Sequence, residues 1–153
     1  MSVAPRSIAY LISQYPALSM IFIIREVLQL KRLGFRIDTA SINAADRSGK
    51  GLTADEAGEA ALTYYIKPHG VPGALAAHAD GLMRHPAGYL RGLKRVFSLA
   101  GLDIKRVFMN LMYFTEALMV GRWMRAKGHD HLHTHLGSQA TTVGLFVKTI
   151  FGY

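Results

Sequence analysis

The 153-residue sequence contains no cysteine, which excludes disulfides, thiolate metal sites and cysteine nucleophiles. That absence fits a reducing compartment. The sequence is also short of acid: ten Asp and Glu stand against eighteen Lys and Arg, for a net charge of +8. Such an excess points to an anionic partner, whether phosphate, nucleic acid or an acidic membrane surface. No run reaches the ~18 uninterrupted apolar residues of a transmembrane helix. The nearest approach, Val107 to Gly121, is broken by Asn110, Thr115 and Glu116. The apolar run Ile8 to Ile12 is too short for a secretory signal, and no small-residue cleavage site follows it. Internal repeats and low-complexity segments are absent. Half of the residues are hydrophobic, so one domain with a packed core is expected rather than disorder.

What is present alternates between strand and helix signals. Ser7 to Ile12 reads as a buried parallel strand, ended by Ser13, Gln14, Tyr15 and Pro16. Ser19 is placed to cap a helix over about Met20–Leu33, whose Ile23, Val27, Leu30 and Leu33 recur at helical spacing. Arg25 and Glu26 in that helix read as a surface pair or as solvated charges. Gly34 ends the helix, and Arg36 to Ile42 is a second strand, giving a βαβ crossover. Thr53 and Glu56 have capping-box spacing at the start of a short acidic helix, and Tyr64 to Ile66 is a third strand. From residue 72 to 128 the pattern is helical throughout. Three helices are predicted, near Pro72–Arg84, Pro86–Leu99 and Asp103–Lys127. A fourth strand over about His131–His135 and a helix over Gln139–Phe151 complete the chain. The expected fold is α/β, a Rossmann-like parallel sheet of about four strands in the order 3-2-1-4 with a helical insert. In that order the fourth strand is an uncovered edge, a liability for aggregation or partner-seeking.

The stretch His129-Asp130-His131-Leu132-His133-Thr134-His135-Leu136-Gly137-Ser138 carries the main functional signal. Period-two alternation puts His131, His133 and His135 on one strand face and Leu132, Thr134 and Leu136 on the other. His135 sits where open α/β sheets bind ligands, at the carboxyl end of a strand just before a helix, and is the candidate catalytic residue. His133 lies one pleat deeper and reads either as a ligand contact or as structural. The histidine ladder could share a metal, but no thiolate supports it and Asp130 alternates to the other face, so no metal site is assigned. Gly137 and Ser138 open the last helix, where free N–H groups either hold an anion or are capped by Ser138. The loop Ser13 to Ser19 sits at the same end of the first strand. It lacks G-x-G-x-x-G, so a dinucleotide fingerprint is missing from its place. Ser13, Gln14, Tyr15 and Pro16 there are either ligand contacts or a proline-stabilised turn.

Residues 67 to 127 hold ten basic and three acidic residues, net +7 of the total. With Phe97, Leu99, Phe108, Met112 and Trp123 interleaved, these helices suit docking on an anionic membrane, or are solvated faces over a core stripe. No RNP-like signature supports a nucleic-acid partner.

Ile8-Ala9-Tyr10-Leu11-Ile12-Ser13-Gln14-Tyr15-Pro16-Ala17-Leu18-Ser19, then Phe22-Ile23 and Arg25-Glu26, resembles the opening of family 4 glycosyltransferases with a GT-B fold, of the exopolysaccharide and colanic-acid type. His131-Leu132-His133-Thr134-His135-Leu136-Gly137-Ser138 with Ala140-Thr141 is the second match, and the likeness extends through Tyr64-Tyr65 and Gly121-Arg122-Trp123-Met124. The resemblance implies retaining transfer of a sugar from a nucleotide-sugar to a polysaccharide or lipid-linked acceptor, with no cofactor. It implies that the domain holds the acceptor, that His135 lies near the transferred sugar, and that Ser13, Gln14, Tyr15, Pro16, His133, Gly137 and Ser138 line the cleft. It further implies a cytoplasmic place, with peripheral attachment at the inner face of the cell membrane an option. The sequence departs from the pattern at Met20-Ile21, where relatives carry a polar pair. The donor-binding domain with its paired glutamates has no counterpart in residues 1–153. The chain is therefore expected to be an N-terminal part, inactive alone. The alternative is a non-catalytic binding or membrane-docking module.

Overall fold

The computed structural model describes residues 7–47 and 49–153, with residue 50 described by its backbone alone. Four parallel strands form one sheet in the order β3-β2-β1-β4: β1 (Ser7–Gln14), β2 (Arg36–Asn43), β3 (Tyr64–Tyr65) and β4 (Leu132–Thr134). This is the expected order. β1 and β2 pair over their full length, Ser7 with Arg36 through Gln14 with Asn43, whereas β4 meets β1 only over Ala9 to Leu11. The uncovered edge is thus three residues long, shorter than the five expected. Both edge strands are shorter than the central pair, which limits the surface open to strand addition.

Alternation along β1 sorts two cores onto the two faces of the sheet. Tyr10 and Ile12 face α1 (Ile21–Arg32), packing with its Ile23, Ile24 and Val27. Leu33, expected on that stripe, is exposed instead. Ala9, Leu11, Ala40 and Ile42 face the opposite layer, where they pack with residues of α5 (Ile104–Lys127) and α6 (Gln139–Phe151). α2 (Ala54–Leu62) starts on the predicted capping box: Thr53 N–H donates to Glu56 Oε2 at 2.8 Å and Glu56 N–H to Thr53 Oγ1 at 3.3 Å. Ser19 does not cap α1. It lies in a 3₁₀ turn over Leu18–Met20, and the helix begins at Ile21 without a side-chain cap.

The insert comprises α3 (Gly70–Arg84), α4 (Pro86–Ala100) and α5, with Asp103 capping α5 through the Arg106 N–H. It is packed onto the domain and not appended to it. A Cβ on Gly88 would stand 2.1 Å from the carbonyl oxygen of Ile150, so α4 and α6 touch backbone to backbone. Gly121 likewise makes room for the Phe151 ring. Trp123, expected among the candidate membrane-facing residues, is buried and stacks on Tyr64 at 5.6 Å. Among the described residues no helix is long and apolar enough to cross a membrane.

At the amino-terminal rim a polar chain locks the approach to β4. His129 receives Ser7 Oγ at 2.6 Å on Nδ1 and meets Asp38 Oδ2 at 2.8 Å through Nε2. The imidazole is fully buried against Trp123. A ring with no exposed edge cannot reach a substrate, so this serine–histidine–aspartate set is a tie between β1, β2 and the start of β4.

Candidate functional site at the carboxyl rim

In the order 3-2-1-4 the chain reverses its direction of sheet growth between β1 and β4, and open α/β sheets take ligands outside the carboxyl ends at such a point. The loops that follow these two strands meet there. Ser13 Oγ lies 2.9 Å from Ser138 Oγ and accepts from the Ala140 N–H at 3.4 Å. Ser138 is the residue before α6, but its own side chain does not cap that helix; Ser13 does so across the sheet. A tertiary partner has replaced the local cap.

From Ser13 the polar contacts continue around the rim. The Ser13 carbonyl accepts from Asn43 Nδ2 at 2.7 Å, and Asn43 Oδ1 accepts from Lys67 Nζ at 2.6 Å. Lys67 acts electrostatically on Glu116, whose two oxygens accept from Gln139 Nε2 at 3.3 and 3.2 Å. Gln139 adjoins Ser138, which closes the circle. Glu116 is buried, and burial pushes its carboxyl above the ordinary range, against the opposing effects of Gln139 and Lys67. Glu116 and Lys67 also line a cavity of about 490 Å³ between the end of β3, α3 and α5. The rest of its wall is largely apolar, including Ile66, Val71, Leu75 and Met119. A polar rim thus borders an apolar cavity.

On the α1 side of the same rim stand the two histidines. His133, paired in register with Tyr10, packs on that ring at 4.6 Å, and His135 follows one residue beyond the strand. Their Nε2 atoms are 3.2 Å apart. His135 Nε2 also lies 3.2 Å from Glu26 Oε2, and Glu26 Oε1 accepts from the Tyr10 hydroxyl at 2.6 Å. Burial and the neighbouring His135 both push the His133 imidazole below its ordinary value. Phe22 stands edge-on to His135 at 6.0 Å. The backbone then passes through Leu136 at φ +67°, a left-handed conformation that a non-glycine residue rarely holds. The Leu136 side chain is more exposed than buried, so its packing contributes little to holding that conformation.

The rim gathers Ser13, Gln14, His133, His135, Gly137 and Ser138 from the expected set. Gln14 is held through Nε2 to the Ala44 carbonyl at 3.1 Å. Tyr15 and Pro16 are not presented. Both are buried, and the Tyr15 hydroxyl donates to Glu59 Oε2 at 3.1 Å, packing the loop against α2. His131 is exposed and separates from its two companions: it borders a different hollow with Lys148 and Tyr153 on the β4–α6 side. Glu26, Asn43, Lys67, Glu116 and Gln139 join the rim without having been singled out as site residues. Each contributes through a contact distant in sequence, and only the lone acid in the apolar stretch of α5 left a local trace.

No protein-family model, curated protein or solved structure matches the chain.

Proposed function

We propose that this chain is the acceptor-side part of a retaining glycosyltransferase that moves a sugar from a nucleotide-sugar to a polysaccharide or lipid-linked acceptor. The observation that carries the reading is the meeting of Ser13 and Ser138 where the strand order reverses, which puts two polar loops where α/β sheets take ligands. The resemblance of those two segments to family 4 enzymes supplies the reaction. In this reading the acceptor's polar end lies along Ser13, Gln14, Gly137 and Ser138, with His135 at the flank, and the cavity beside Glu116 holds the apolar portion of a lipid-linked acceptor. On the same reading the rim holds the acceptor, and residues 1–153 transfer no sugar in isolation. An amide NMR titration with a short-chain polyprenyl diphosphate sugar tests this. Shifts at Gln14, Gly137, Ser138 and Glu116 are expected. No response, or shifts confined to the opposite rim around Arg36 and Gly128, overturns it.

A second reading, a peripheral membrane-docking module, has its own support. Around the α4–α5 turn, Phe97, Leu102, Ile104 and Phe108 are all exposed, Leu102 completely. Arg91, Lys94 and Arg95 line a basic hollow of about 260 Å³ with Ser98 and Thr149. Apolar side chains beside cations are what an anionic bilayer surface takes up. Such attachment would be to the inner face of the cell membrane. Flotation with phosphatidylglycerol vesicles discriminates. Binding that is lost in the Leu102→Asp, Ile104→Asp double variant supports docking, and binding unaltered by it removes this reading.

A further inference from the structure

On the α1 side of the rim, Glu26 joins His133 and His135, two residues of the proposed acceptor cleft, in a group whose ligand atoms converge. Glu26, His133 and His135 each offer one ligand atom, and the three atoms lie within 4.8 Å of one another. Two of the separations, His133 Nε2 to His135 Nε2 and His135 Nε2 to Glu26 Oε2, are both 3.2 Å. A tetrahedral ion bonded to nitrogen and oxygen at about 2.0–2.1 Å holds neighbouring ligand atoms roughly 3.3 Å apart. The same distance suits either an N–H···N hydrogen bond between two neutral tautomers or two lone pairs aimed at one cation, and the carboxylate oxygen on His135 Nε2 adds the third donor that a cation takes. Strand geometry provides the pair: residues two apart share a face, and the last residue pairing β1 to β4 lies between them.

We infer that Glu26, His133 and His135 bind a divalent transition metal, with Zn²⁺ the ion that best fits two imidazoles and a carboxylate. Thiolate-preferring ions are disfavoured because the sequence has no cysteine. Tyr10 supplies the outer support: its hydroxyl holds Glu26 Oε1 and leaves Oε2 for the ion. Phe22 and the Tyr10 ring wall the site on the protein side. The side chains of His135 and Glu26 are 20% and 37% exposed, so a fourth position is open to water. Sequence reading placed a metal, if any, on His131, His133 and His135. The geometry replaces His131 with Glu26 from the facing helix.

This inference shares His133 and His135 with the sugar-transfer reading but does not rest on it, since its test contains no sugar or nucleotide. The metal-stripped, tag-free chain is titrated with Zn²⁺ against a chromophoric chelator, and with Co²⁺ followed by its visible absorption. One equivalent of Zn²⁺ with micromolar or tighter affinity is expected, with a Co²⁺ spectrum of tetrahedral intensity. His133→Ala and His135→Ala abolish stoichiometric binding, Tyr10→Phe weakens it by about 10-fold or more, and His131→Ala leaves it unchanged. Should either alanine variant lose its circular dichroism, Glu26→Gln, on a partly exposed side chain, takes its place. Absence of one-equivalent binding, or binding indifferent to His133, His135 and Glu26, overturns the proposal.

Discussion

The hydroxyl of Ser13 lies 2.9 Å from that of Ser138, 125 residues away, and this contact joins the loops that follow β1 and β4. A pair so distant in sequence but adjacent in space is open to a double-mutant cycle. A half-buried hydroxyl pair contributes about 0.5–1.5 kcal/mol. Ser13→Ala is expected to be the costlier single change, because Ser13 Oγ also receives the Ala140 N–H. Urea unfolding of the two single variants and the double variant measures the coupling. Strictly additive effects would show that the contact contributes nothing.

Glu116 makes stability depend on pH in the direction opposite to most acids. Its carboxyl in the folded chain holds a proton above the ordinary value of 4.5, so between those two values the folded state binds more protons than the unfolded one. Its contribution is therefore complete below pH 4.5 and is lost as pH rises through the elevated value. Glu116→Gln, which keeps an oxygen for Gln139, is expected to unfold at a higher temperature than the parent at pH 7.5. Below pH 4.5 the two should converge. Thermal unfolding at pH 4 and pH 7.5 reads this directly; an equal gap at both pH values rules it out.

Leu136→Gly is expected to stabilise the chain. The left-handed conformation costs a branched residue about 1–2 kcal/mol, while glycine's extra freedom in the unfolded chain offsets about 0.5–1 kcal/mol of the relief. The leucine side chain is exposed, so its removal forfeits little burial. A gain of several tenths to about 1 kcal/mol in chemical denaturation is the expected result, and a loss would mean that the side chain has a partner in solution.

His129→Ala should destabilise without touching the carboxyl rim. It removes the partner of Ser7, leaves Asp38 only its longer ion pairs to Arg36 and Lys127, and empties a fully buried site, for a cost of about 2–3 kcal/mol. The amide spectrum around Ser13 and Ser138 should remain that of the parent, because the tie lies at the other end of the strands.

Much of the fold was legible because its signals are local. The βαβ crossover follows from Ile8–Ile12, the stripe Ile23–Val27 and the second apolar run. Thr53 and Glu56 cap α2 as their spacing requires, and Gln139–Phe151 has the predicted bounds. The strands' carboxyl ends were less legible. Ser13 and Gln14 look like loop residues, yet they extend β1, since β2 continues to Asn43 and offers a partner for the added pairing. Ser19 and Ser138 both carry cap chemistry, and neither caps its helix. Ser138 is drawn instead to a partner that only the folded sheet supplies. The site divides in the same way. His133 and His135 follow from alternation alone, whereas Glu26 resembles any surface acid of an amphipathic helix until α1 is laid against β4. Tyr15, polar and beside a proline, reads as a loop residue on display, but Glu59 of α2 draws its hydroxyl inward.

The contact between Gly88 and the Ile150 carbonyl reaches beyond packing. α6 starts beside Ser138 and reaches Ile150 after nearly its whole length of thirteen residues, about 20 Å. One end of this rod is gripped by Ser13 and the other by the backbone of α4. α6 therefore spans from the mouth between β1 and β4 to the backbone of α4, so one helix contacts both the rim and the insert.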